Sequence, residues 1–110
     1  MGKIARCIRY LSDFNKNLSM AIMALTFRSI SRARRSIEEA DKALKDMYIE
    51  ACIDDRVYED TRADLTSKLE DIRRMERGEL KLNLKRLSED LEDILKTIRE
   101  DMISTLGFED

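Results

Sequence analysis

The chain is 110 residues long, 43% apolar and 40% charged, with a formal net charge of −2, no Pro, Trp, His or Gln, and only Gly2, Gly78 and Gly107 as glycines. That length fits one domain spanning 1–110, and so few turn residues exclude the sandwiches, barrels and doubly wound sheets that need them. Without His there is no imidazole base and no His-bearing zinc or di-iron site, so the sequence offers no catalytic residue and no cofactor to expect.

The first segment repeats Ile4, Leu11, Leu18 and Leu25 every seven residues, with Cys7, Phe14 and Ala21 three places after the first three. This a/d seam predicts a helix over about 3–26. Continued, the seam reaches Arg32 and Glu39, whereas the apolar residues run Ile30, Ala33, Ile37, Ala40, Leu44, Met47 and Ala51. The phase slips by two residues, and one straight helix cannot hold both stripes against one partner. A break is expected within 26–31, followed by a second helix over 30–53.

Asp54 and Asp55 suit the N-cap of a third helix over 56–77, with Thr61-x-x-Asp64 as a weaker alternative start. Its seam is Tyr58, Leu65, Leu69, Ile72 and Met75. A fourth helix over 79–106 carries Leu80, Leu84, Leu87, Leu91, Ile94, Ile98 and Met102. The phase moves by only one residue around Gly78, which ordinary helical drift can absorb, so Gly78 either breaks a helix or lies inside a long one. Leu80, Leu82 and Leu84 alternate like a strand, but the helical period around them favours helix. Gly107 predicts a left-handed helix stop, with Phe108 lying against Ile103. The expected fold is all-α: an antiparallel four-helix bundle, or alternatively a long two-helix coiled-coil hairpin that dimerises.

Charge order carries the functional leads. Residues 1–35 hold eight basic groups against Asp13, residues 36–72 hold twelve acids against five bases, and the rest sums to −2. Arg28, Arg32, Arg34 and Arg35 form a basic cluster whose like charges at i,i+4 repel unless an anion or carboxylate meets them. Arg6, Arg9 and Lys16 extend this basic character along the first helix. The cluster is a candidate anion- or nucleic-acid-binding site, or a face neutralised by the acidic segment.

Leu18, Met20, Ile22, Met23, Leu25 and Phe27 make the first helix apolar on nearly all sides, beyond what one seam needs, so they are the candidate interface. The leading expectation is a non-enzymatic bundle acting by self-association or partner binding. The alternative is a nucleic-acid-binding module using the arginines at 28–35. A third is a Mg²⁺ or Mn²⁺ enzyme built on Glu38-x-x-Asp41, Glu89-x-x-Glu92 and Asp90-x-x-Asp93, but acids this abundant form such pairs by chance. Cys7 and Cys52 fall at the same end of a hairpin turning near residue 28, and cytosolic redox favours buried free thiols over a disulfide. No targeting or membrane-spanning segment stands out, a cytoplasmic protein is expected, and the dense charge fits a thermophile's ion-pair-rich surface.

Overall fold

The computed structural model describes residues 2–107 and contains four helices: α1 Lys3–Thr26, α2 Ile30–Ile49, α3 Asp55–Glu76 and α4 Leu84–Leu106. They form an all-α, antiparallel four-helix bundle, 45 × 23 × 23 Å in extent. α1 packs on both α2 and α4, α2 packs on α3, and the seam between α3 and α4 is the loosest. The core is the set of seams read above. Cys7, Phe14, Leu18, Ala21 and Leu25 meet Ala33, Ile37, Ala40, Leu44 and Met47, with Leu65, Ile72, Leu91, Ile98 and Met102 closing the other side. Ile4 and Ala51 depart from their seams and are exposed. Among the described residues no helix is long and apolar enough to cross a membrane.

The turns explain how a chain without Pro reverses three times. α1 ends in a Schellman motif. The amide of Ser29 donates to Ala24 O at 2.7 Å and that of Arg28 to Leu25 O at 3.0 Å, with Arg28 left-handed at φ 58°. α2 ends the same way. Cys52 N donates to Met47 O at 2.8 Å and Ala51 N to Tyr48 O at 3.0 Å, and Ala51 has φ 56°. α3 repeats the motif at Gly78, φ 76°, which breaks the helix and removes the long-hairpin alternative. The amide of the left-handed Gly107 donates to Ile103 O at the end of α4. The expected Phe108 contact lies outside the described residues.

Two helix limits differ from expectation. α2 stops at Ile49 rather than 53, because Ala51 takes the left-handed conformation. α4 begins at Leu84 rather than 79, capped by Asn83, whose Oδ1 accepts from Arg86 N at 3.1 Å. Residues 80–83 are neither helix nor strand, but Leu80, Leu82 and Leu84 alternate half-buried with exposed Lys81, Asn83 and Lys85. The strand-like alternation thus marks a connection laid against the core. At α3 the expected cap holds: Asp54 Oδ1 accepts from Arg56 N at 2.9 Å.

The expectation of free thiols is corrected. Cys7 and Cys52 form a disulfide, with Cα atoms 5.6 Å apart and both residues wholly buried. Folding places the first turns of α1 beside the residue after the α2 turn, and this proximity decides the pairing that compartment arguments had weighed against.

Candidate interaction surface

α1 has more apolar residues than the core can use. Leu18 and Leu25 are buried inside the bundle and Ile22 is half-buried, so these three of the six candidate interface residues pack within the chain. The surplus is Met20, Met23 and Phe27, at 49%, 62% and 77% exposure. Met20 and Met23 lie outside the α1 seam, and Phe27 is the C-cap residue that the Arg28 turn leaves pointing outward.

The same turn brings the start of α2 alongside. Arg32, Arg35, Ser29 and Ser36 join Met20, Met23, Ala24 and Phe27 around an open cavity of about 740 Å³. The two sequence signals, an apolar surplus and a basic cluster, therefore meet on one face of the α1–α2 hairpin. Arg32 has no ion pair among the described residues, and Arg35 only donates its Nε to the carbonyl of Ser31 at 3.4 Å.

The four arginines do not act as one patch. Arg34 points toward α3, where Nε donates to Glu76 at 2.7 Å and Nη1 to Glu38 at 2.6 Å. Ser31 Oγ donates to the other Glu76 oxygen at 2.9 Å, and Arg73 stands 3.7 Å from Glu38. The Ser31 hydroxyl first and the Arg34 guanidinium second hold Glu76 below the usual carboxylate range. In return Glu76, then Glu38, push Arg34 upward. Arg34 is thus a brace between α2 and α3.

Arg28 faces the opposite side of the turn. With Lys81 and Lys85 it lines an open cavity of about 820 Å³ whose apolar lining includes Leu25, Met75, Leu82 and Leu84. Sequence reasoning missed Lys81 and Lys85; their alternation with half-buried leucines was the available signal. Arg6, read above as part of the basic face, instead reaches Glu50 at 3.3 Å at the other end of the bundle.

The paired carboxylates do not form one cluster: Asp90 and Asp93 line an open α3–α4 groove with Asp60 and Asp64, while Glu38 and Asp41 lie on α2. Glu38 serves Arg34 and Arg73, Asp41 lies 3.8 Å from Arg62, and Asp90 lies 3.9 Å from Lys68, which also binds Asp64 at 2.6 Å. Among the described residues no three Cys, Asp or Glu side chains gather closely enough to hold a metal ion. The surface that stands out carries exposed sulfur and aromatic groups bordered by Arg32 and Arg35, which have no carboxylate partner among the described residues. Comparison of the chain with protein-family models, with curated proteins and with solved structures finds no match to any of them.

Proposed function

We propose that this protein works without catalysis, by association through the α1–α2 face formed by Met20, Met23, Phe27, Arg32 and Arg35. The observation that carries this reading is the exposure of Phe27 and Met23, at 77% and 62%, beside two arginines without acidic partners among the described residues. Exposed apolar groups gain about 25 cal/mol per Å² when a partner covers them, and flexible methionines adapt to that partner's shape. Guanidinium groups at the rim set orientation by meeting carboxylates. A cytoplasmic setting is part of the proposal, and a buried disulfide there is at home in hyperthermophiles.

The test is the solution mass by light scattering from micromolar to hundreds of micromolar protein. The wild type exceeds its chain mass of 12.9 kDa, whereas Met23→Asp/Phe27→Asp stays at it while keeping its far-ultraviolet circular dichroism. A wild type that remains at the chain mass throughout contradicts self-association.

One observation favours a second reading, nucleic-acid binding. Residues 26–36 and 73–86, brought to one end of the bundle, carry ten Arg and Lys against only Glu76 and Glu79. That reading requires retention of a single-stranded oligonucleotide at low salt, with affinity falling steeply as salt rises. Binding that ignores salt, or no binding at low salt, removes it.

A further inference from the structure

The core-facing seam of α2 is Ala33, Ile37, Ala40, Leu44 and Met47. On its far side runs a second stripe at the same spacing of three and four: Arg32, Arg35, Glu39, Lys42, Asp46 and Ile49. All six are exposed, Ile49 to 67%. A 3.5-residue repeat keeps such a stripe straight along one face, the geometry that a second helix needs.

The stripe complements itself when reversed. In an antiparallel helix pair each a position meets a d position of the partner. With Glu39 set against Lys42 of a second copy, Arg35 meets Asp46 and Arg32 meets Ile49, and the two-fold axis repeats every contact. Each charged pair is opposite in sign. The end pairs lie beside Met20, Met23 and Phe27, so Ile49 of the second copy falls against the apolar face already described, at both ends.

No set of contacts among the described residues accounts for this order. Only Glu39 and Lys42 pair with each other, at 2.9 Å; Arg32 and Asp46 have no ion-pair partner among the described residues. The order also opposes the helix dipole. α2 has no acid in its first turn, where Arg32 stands, and no base in its last, where Asp46 stands. Cations are favoured at the opposite terminus, so isolated helix stability would select the reverse arrangement.

We propose that a second copy of this chain docks antiparallel on the outer stripe of α2, giving a closed two-fold dimer in which Arg35 faces Asp46 and Glu39 faces Lys42. This rests on the association reading above and names its partner. The test is a charge swap read by sedimentation equilibrium. Arg35→Asp and Asp46→Arg, made singly, set like charges against each other twice per dimer, and each weakens dimerisation at least tenfold. Combined in one chain they restore opposite charges across the axis and return the dimer constant to within about threefold of wild type. The swap places charges in the order the dipole favours, so folding is preserved, and circular dichroism of each variant checks it. Failure of the double variant to recover, while the wild type still dimerises and Met23→Asp/Phe27→Asp does not, overturns the antiparallel arrangement and leaves the association reading standing. A monomeric wild type overturns both.

Discussion

Cys7 and Cys52, separated by 45 residues in sequence, are bonded across the end of the bundle and tie the start of α1 to the turn that closes α2. The α1–α2 hairpin that carries the exposed methionines is therefore a covalently closed loop. In the chain-entropy account a loop of that length restricts the unfolded chain by roughly 4 kcal/mol. Replacing both cysteines with Ala is expected to lower the melting temperature by about 10–25 °C, since each kcal/mol moves a domain of this size by several degrees. Thermal unfolding with and without a thiol reductant checks it. Reductant should reproduce the effect in wild type and leave the variant unmoved.

Arg28 and Ala51 occupy the left-handed C′ positions of their turns, where a β-carbon is unfavourable by about 1–2 kcal/mol. Gly removes that strain at a smaller loss in chain entropy. Arg28→Gly and Ala51→Gly should each raise stability by about 0.5–1 kcal/mol. Urea unfolding should show a higher midpoint at unchanged slope. A lower midpoint in both would contradict the turn assignment.

Glu76 links Ser31 and Arg34, and its carboxyl is held below its ordinary value by the Ser31 hydroxyl first and Arg34 second. A carboxylate depressed in the folded state adds stability above its unfolded pKa, about 4.3, and that contribution is lost as pH falls through the lower folded value. Glu76→Gln should therefore be the less stable protein at pH 7, by about 1 kcal/mol or less for a pair so near solvent. The gap should close below roughly pH 4. Chemical denaturation at pH 7, 5 and 3 reads this. A constant gap would mean that Glu76 acts through packing rather than charge.

Asn83 caps α4 through its contact with Arg86 N, and the half-buried alternation before it offers no alternative helix start. Asn83→Ala is expected to cost about 1 kcal/mol. Asn83→Asp should recover most of it, because an anion also suits the dipole at that end. Equilibrium unfolding of the two variants decides.

Much of this fold was legible in the chain. The slip from Leu25 to Ile30 located the first turn, and Asp54 announced the third helix. The turns themselves were not visible as motifs, because Arg28 and Ala51 stand where glycine is usual and side-chain identity does not report their φ. Gly78 was ambiguous, since helical drift and a break give the same one-residue phase change. The basic cluster was legible as composition, but its division was not. Arg34 turns to Glu76, Arg28 to Lys81 and Lys85, and Arg32 and Arg35 to the α1 methionines only once neighbouring helices are in place. The α2 outer stripe has no apolar periodicity to mark it, because five of its six members are charged.

Sedimentation equilibrium of the wild-type chain at low salt and in 0.5 M salt tests the association claim most directly. The account predicts a species at twice the 12.9 kDa chain mass, growing with concentration, its dimer constant weakened several-fold in high salt as Arg35–Asp46 and Glu39–Lys42 contacts are screened. A single species at the chain mass, at every concentration and both salts, would contradict it.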